Sequence, residues 1–258
     1  MRILCIGDVC GSVGCDFLRQ KLPVLKKQWS IDMVIVNGEN SADGNGILPA
    51  SAAHLYDSGA HVITGGNHTF RRREIYPLLE EDETLLRPAN FPAGAPGRGI
   101  AYVDFGYVTV AVINLLGVVY MEPLECPFRT ADALVEEAKA AGARIILVDF
   151  HAEATAEKRA LGFYLDGRVS ALFGTHTHVQ TADACLLPQG TGYITDLGMT
   201  GPIQSVLGVR PELSIAKMRD KLPIRFQLET GDCMLNGCIF EVDHKTGNTL
   251  SVEAVDVR

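Results

Sequence analysis

Two of the seven histidines in this chain, His176 and His178, stand one residue apart in ALFGTHTHVQTADA, just after an apolar run. On a strand their rings would share a face, and at the strand's end both could reach one ion. Taken alone, the pair reads as a surface histidine beside a hydrogen-bonded turn histidine. The polar residues that follow other apolar runs change that reading. Asp8 follows ILCIG, Glu39 and Asn40 follow MVIVNG, Asn67 and His68 follow VITGG, and His151 follows IILVDF. Any one of them could be an ordinary cap or turn residue. Together they set two carboxylates, several imidazoles and carboxamide oxygens at the ends of five runs. That donor set suits manganese, iron or zinc rather than a soft, thiolate-selecting site. It is also too large for one tetrahedral ion. Two ions about 3.5 to 4 Å apart, bridged by a carboxylate, would use it and would support in-line displacement at phosphorus.

Residues placed this way need strands that end at a common edge. The runs RILCIGDV, DMVIVNGEN, HVITGGNH, VTVAVINLLG, RIILVDFH, VSALFGTH and GYITDLG include several too continuously apolar for a half-exposed strand, as expected of strands buried on both faces. Helical patterns lie between them. CDFLRQKLPVLKKQW carries Leu18, Leu22 and Leu25 at helical spacing despite Pro23, and TADALVEEAKAAG closes on Gly142. The alternation implies helices layered on mixed or parallel sheets, whose strand carboxyl ends form the ligand crevice. The last third, RFQLETGDCMLNGCIFEVDHKTGNTLSVEAV, reads as antiparallel hairpins broken at TGD, LNG and KTGN that close the same domain. No fixed repeat or long linker interrupts the chain, so one domain over residues 1–258 is expected.

A chain of 258 residues with 47% hydrophobic content can bury a large core. Its net charge of -8 argues against a broad footprint for duplex nucleic acid or an anionic membrane, so any anion site must be local. No apolar run reaches about 18 residues, and MRILCIGDVCG enters a strand pattern without a basic segment or cleavage site; the protein reads as cytoplasmic. Seven cysteines without a C-x-x-C pair fit a reducing compartment, as core or loop residues. The glycines at 7, 11 and 14 do not match a dinucleotide-binding G-x-G-x-x-G. Arg71, Arg72 and Arg73 read first as the solvated basic start of a helix, with phosphate binding as the alternative.

The order Asp8, Glu39-Asn40, GGNH, DFHAEAT and GTHTHVQTAD, together with RPANFP and YITDLGMTGP, resembles the calcineurin-like metallophosphoesterases. Within them it is most similar to the YmdB-like branch of cyclic-nucleotide phosphodiesterases, over nearly the whole chain. The resemblance implies a four-layer α/β/β/α sandwich with a dinuclear site at the sheet edges. It places Asp8, Asn40 and His178 on one metal and Asn67, His151 and His176 on the other, with Glu39 bridging and His68 as a general acid free of both. Two divalent or mixed-valence transition-metal ions are implied, iron or manganese ahead of zinc. The implied substrate is a small phosphodiester, foremost a 2′,3′-cyclic nucleotide, attacked by a metal-bridged hydroxide while His68 protonates the leaving alkoxide. A phosphomonoesterase, a broader nucleotide phosphodiesterase, and a nucleotide- or RNA-end-sensing regulator with little turnover are the alternatives. A homo-oligomer stays open.

Some positions depart from the wider superfamily. Its opening D-x-H has Cys10 at the third place, so Asn40 must fill the histidine's role, and Glu39 stands for a bridging aspartate. Thr69 follows His68, leaving no adjacent carboxylate to orient the ring. These changes agree with the YmdB-like branch. Phe70 and Arg71 stand where that branch would carry an aromatic, usually tryptophan, followed by an acid, which bears on substrate preference.

Overall fold

A computed structural model describes residues 1–258. In chain order the first elements are β1 (Arg2–Ile6), β2 (Asp8–Val9), α1 (Gly11–Gln28), β3 (Met33–Asn37), α2 (Pro49–Ser58), β4 (Val62–Thr64) and α3 (Tyr76–Glu81). Then come β5 (Ile100–Asp104), β6 (Thr109–Leu116), α4 (Pro127–Ala140), β7 (Ile145–His151), α5 (Thr155–Leu165) and β8 (Ala171–Thr175). The chain ends with β9 (Cys185–Leu186), β10 (Gly192–Ile194), β11 (Met199–Pro202), α6 (Pro211–Asp220), β12 (Cys233–Val242) and β13 (Thr249–Val257).

These elements make a mixed α/β fold with two sheets. In the first, β1, β3 and β4 run parallel, and β12 lies antiparallel beside β1 with β13 on its other side. In the second, β6, β7, β8 and β10 run parallel, with β5 and β9 antiparallel at the edges. The first sheet forks at Gly7. Before it, β1 pairs with β12; after it, β2 pairs with β11, which itself pairs with β12. A Cβ on Gly7 would lie 2.1 Å from the Gly198 carbonyl oxygen, so only glycine allows that approach.

Strand alternation divides the apolar side chains among three cores. Leu4, Ile6, Val34 and Val36 point outward to Leu18, Leu22 and Leu25 of α1 and to Ala52 and Leu55 of α2. Ile3, Cys5, Met33 and Ile35 face Val110, Val112, Ile145 and Leu147 of the second sheet. The far face of that sheet, with Ile113, Val148 and Phe150, is covered by Val135 of α4 and Leu161 of α5. The layers therefore run helix, sheet, sheet, helix. Pro23 sits exposed on α1 without ending it, since the buried leucine stripe holds the helix on both sides of the lost hydrogen bond.

One local expectation changes. Leu235-Asn236-Gly237 is no turn but the middle of β12, where a Cβ on Gly237 would lie 2.5 Å from the Cys5 carbonyl oxygen. TGD bends the chain just before β12, and KTGN turns it between β12 and β13. The cysteines are all free, five buried and only Cys126 exposed. No helix is long and apolar enough to cross a membrane.

Candidate metal centre

All eight residues singled out above meet where the parallel strands of both sheets end. Asp8 opens β2, Glu39 and Asn40 follow β3, Asn67 and His68 follow β4, His151 ends β7, and His176 and His178 follow β8. Residues 168 positions apart touch here, as the His176 backbone N–H donates to Asp8 Oδ2 at 3.0 Å. Asp8, Glu39 and His151 are fully buried and Asn40 nearly so. The other four are half-buried.

The histidine pair does not share a strand face. Strand β8 stops at Thr175, and His176 and His178 take φ values of 101° and 62°, rare for residues with a side chain. That turn sends the rings to different neighbours. His176 Nδ1 lies 3.1 Å from His151 Nε2, whereas His178 Nε2 lies 3.1 Å from Asn40 Nδ2 and 3.5 Å from Asp8 Oδ1. Asp196 holds the turn, accepting the Thr177 backbone N–H at 3.1 Å and its hydroxyl at 2.7 Å. Asp196 is itself fixed by Lys158 at 2.7 Å, both side chains buried.

The donors fall into two groups. Around His151 Nε2 stand Asn67 Oδ1 at 3.0 Å, His176 Nδ1 at 3.1 Å and Glu39 Oε1 at 3.1 Å. Four lone-pair atoms so close cannot satisfy one another with the few protons they carry, and a cation is the group that fits them. Gly66 leaves the room, since a Cβ there would lie 2.2 Å from Glu39 Oε2 and 2.4 Å from His151 Nε2. In the second group Asp8 Oδ1, Glu39 Oε1 and His178 Nε2 surround Asn40 Nδ2 at 3.3, 3.3 and 3.1 Å. A half-turn of that carboxamide would put its oxygen among the same atoms, completing a second cation-competent set. Glu39 Oε1 belongs to both groups.

His68 stands beside them. Its backbone N–H donates to Glu39 Oε2 at 2.9 Å, and its ring Nδ1 lies 2.9 Å from Asn40 Oδ1 and 3.3 Å from Glu39 Oε1. A carboxylate therefore does orient the ring, from another strand rather than from the next residue. Cys10 Sγ lies 3.6 Å from His178 Nδ1, the ring nitrogen opposite the one that approaches Asn40 and Asp8.

Sequence reasoning missed the groups behind the donors. Asp149 Oδ1 accepts the Thr175 hydroxyl at 2.7 Å, and its Oδ2 accepts the Thr64 hydroxyl and Asn37 Nδ2. Because the Thr175 hydroxyl proton is used there, its oxygen takes the His151 Nδ1 proton at 2.9 Å, leaving the Nε2 lone pair aimed into the cluster. Burial pushes the Asp149 carboxyl up to about 6, still ionised at neutral pH. The i, i+2 spacing of Asp149 and His151 on one strand was the available signal. Glu153, at 3.0 Å, holds the outer nitrogen of His176 in the same manner.

Burial by itself would raise both central carboxyls. His178 and His151 overcome it for Asp8, and His151 with His68 hold Glu39 well below its ordinary range. Burial, reinforced by the positive charge on His151, drives His176 down to about 4, so its lone pair is free at neutral pH. Burial opposes a charge on His151 too, but Glu39 and Asp8 raise it. No lysine or arginine touches either carboxylate, so their charge is balanced by histidine protons or by bound metal.

A family model for YmdB-like proteins matches residues 4–255. The chain belongs to the YmdB-like family. A 2′,3′-cyclic-nucleotide 2′-phosphodiesterase of Bacillus subtilis is 48% identical over 255 residues, spanning 99% of this chain and 96% of that protein. Among solved structures, a hypothetical protein from Thermus thermophilus is 39% identical with a TM-score of 0.94, covering 100% of this chain and 99% of that one. A phosphatase from Mycoplasma pneumoniae is 34% identical with a TM-score of 0.94, covering 100% and 93%. At 13% identity, a 5′-nucleotidase precursor, also from Thermus thermophilus, shares the fold alone, with a TM-score of 0.60 over 100% of this chain and 54% of that one. The YmdB-like motifs read from the sequence are thus borne out as marks of family.

Proposed function

We propose that this YmdB-like protein is a phosphodiesterase that holds two transition-metal ions and hydrolyses small phosphodiesters, foremost 2′,3′-cyclic nucleotides. One observation carries the reading: Glu39 Oε1 lies within 3.3 Å of both His151 Nε2 and Asn40 Nδ2, as a carboxylate shared between two donor groups would. Asp8, Asn40 and His178 then hold one ion, and Asn67, His151 and His176 the other. The nitrogen and oxygen donors suit iron or manganese, and also zinc. The name of the Bacillus subtilis relative supports the substrate class.

When bound, the two cations would activate water at neutral pH and offset the charge on the phosphate oxygens. The rest falls to the chain. Asp8 and Glu39 supply the buried negative charge that retains the ions, and Asp149 through Thr175 keeps the His151 lone pair inward. His68 remains outside both groups. As an imidazolium the ring is oriented through Nδ1–H by Glu39 Oε1 at 3.3 Å, and its Nε2 carries the mobile proton, whose loss leaves a neutral imidazole. That proton can pass to a departing ribose oxygen, a contribution of about 10² to 10⁴ in rate. One domain over residues 1–258, acting in the cytoplasm on a small substrate, belongs to the same reading.

The test is metal analysis of protein reconstituted with manganese, iron or zinc, followed by assay on cyclic nucleotides, monoesters and aryl diesters. Two equivalents of metal and a preference for cyclic diesters are expected. One equivalent or fewer would overturn the dinuclear assignment, and a preference for monoesters the phosphodiesterase. Tight nucleotide binding without turnover would mark a sensor instead.

A further inference from the structure

Beside His68 opens a cavity of about 670 Å³ whose wall includes Asp43, Arg71, Arg72, Arg225 and Phe226. In a chain of net charge -8, three arginines line it with a single acidic residue, Asp43. The arginine ion pairs of the molecule belong to Arg2, Arg98, Arg159, Arg168, Arg219 and Arg258, so none of the three cavity arginines is paired. Arg72 is fastened in place, its Nε donating to the Asn45 carbonyl at 3.0 Å and Nη2 to that of Ala42 at 3.5 Å. Arg73, the last of the run, lines no part of this wall.

The opposite wall comes from the chain between α6 and β12. Leu228 packs over Gly11 at the start of α1 and Gly44 of the cavity wall, so that a Cβ on either would lie 2.2 or 2.8 Å from its side-chain carbons. An isolated bridge joins Leu228 to Val209, and the Arg210 N–H donates to the Gln227 carbonyl at 3.0 Å. These contacts hold Arg225 and Phe226 at the rim, where Phe226 keeps 49% of its surface exposed.

We infer that this cavity is an anion subsite for the 5′-phosphate, or 5′-phosphodiester, of a ribonucleotide whose 2′,3′-cyclic phosphate occupies the metal centre. The inference rests on the phosphodiesterase reading and narrows its substrate class to 5′-phosphorylated or chain-linked ribonucleotide ends. A ribose held by its 2′ and 3′ oxygens presents its 5′ carbon and its base on the other side of the ring. With His68 at the leaving oxygen, the substrate continues past His68 into the cavity that His68 lines. Phosphate oxygens accept paired bonds from guanidinium groups, whereas a free 5′-hydroxyl would leave three unpaired cations unused. The exposed ring of Phe226 offers a stacking face for a base without demanding a particular one.

The experiment compares kcat/KM of the metal-loaded enzyme on adenosine 2′,3′-cyclic phosphate, its 5′-phosphorylated form, and a dinucleotide ending in a cyclic phosphate. The two 5′-substituted substrates should be favoured about tenfold or more, chiefly through KM. In Arg71→Gln and Arg225→Gln that ratio should fall toward one. Both side chains are exposed, so unchanged thermal unfolding serves as the folding control. The contrast between the 5′-phosphorylated mononucleotide and the dinucleotide separates recognition of a terminal phosphate from recognition of an internal ester. Equal kcat/KM on all three substrates, or a ratio untouched in both variants, would overturn the subsite. Calorimetric binding of adenosine 5′-monophosphate against adenosine tests the arginines without turnover. Weaker binding of the monophosphate in the variants upholds the subsite even where no diester is cleaved, a result that sinks only the phosphodiesterase. Equal binding in all three proteins would put the phosphate elsewhere.

Discussion

His68 carries the difference between proton transfer and simple binding of phosphate. If its Nε2 protonates the leaving oxygen, His68→Ala should retain both metals and lose about 10² to 10⁴ in kcat on a diester with an alkoxide leaving group. On an activated aryl diester, which needs little protonation, the same variant should be far less impaired. Equal losses on both substrates would make His68 a phosphate-positioning group, and loss of metal would make it a ligand. Glu39 and Asn40 are separated by charge. Glu39→Gln removes a carboxylate that touches both donor groups, so it should retain less metal than Asn40→Ala; equal metal content by elemental analysis would sink the bridging role. The donor positions could be read from the sequence because each follows a buried strand, which fixes where the side chain emerges. The directions of His176 and His178 could not, because they depend on positive φ values outside strand geometry. Asp149 was hidden for another reason. It sits inside an apolar strand, and its partners Thr64 and Asn37 come from the opposite sheet.

The turn that carries the two histidines is anchored by a helix and by the segment that follows β10. Lys158 of α5 and Asp196 beyond β10 pair with almost no solvent contact, and Asp196 in turn fixes Thr177. Removing one partner of such a pair costs about 3 to 5 kcal/mol, so Lys158→Met should lower stability to urea by that order. It should also weaken metal retention, since the Thr177 turn loses its support. Unchanged stability together with unchanged metal content would show that the pair does not hold the turn. A second anchor is Asp183, which accepts the Thr181 hydroxyl at 2.7 Å and the Thr195 backbone N–H at 3.1 Å. Burial would raise its carboxyl, but the bonds from Thr195 and Thr181 and the charge of Arg159 bring it below the ordinary value. Its stabilisation is therefore complete above the unfolded value of about 3.9 and is lost as pH falls through the lower folded value. Metal-free Asp183→Asn should show a shallower fall in stability below about pH 4 than wild type; parallel curves would remove Asp183 from that role. At this scale the seven apolar runs become strands where expected, because burial on both faces leaves little ambiguity. LNG misled, since a glycine between apolar residues marks close backbone contact inside β12 as readily as a turn.

Across the whole molecule the three cores are apolar and closed, and the buried negative charge of the donor groups sits where the two sheets meet at their carboxyl edge. Metal binding there would be linked to folding, because the proposed donors come from five strand ends that are together only in the native state. Thermal unfolding with added manganese should move upward with concentration, by about 2.7 kcal/mol of stability at a hundred times the dissociation constant. A melting temperature indifferent to both metal and chelator would contradict a site assembled from both sheets. Gly7 tests the fork of the first sheet. Gly7→Ala sets a methyl against a fixed carbonyl and should destabilise the protein even without metal. The position of β12 has a consequence for how the protein is made. This strand pairs with β1 along Gly237–Glu241, yet every proposed metal donor precedes it in the chain. As the polypeptide leaves the ribosome, Asp8 through His178 emerge while β1 still presents an unpaired edge, of the kind that invites pairing with another chain. Residues 233–242, which follow every donor, seal that edge, so a nascent chain stopped before residue 233 should be held by chaperones rather than load metal.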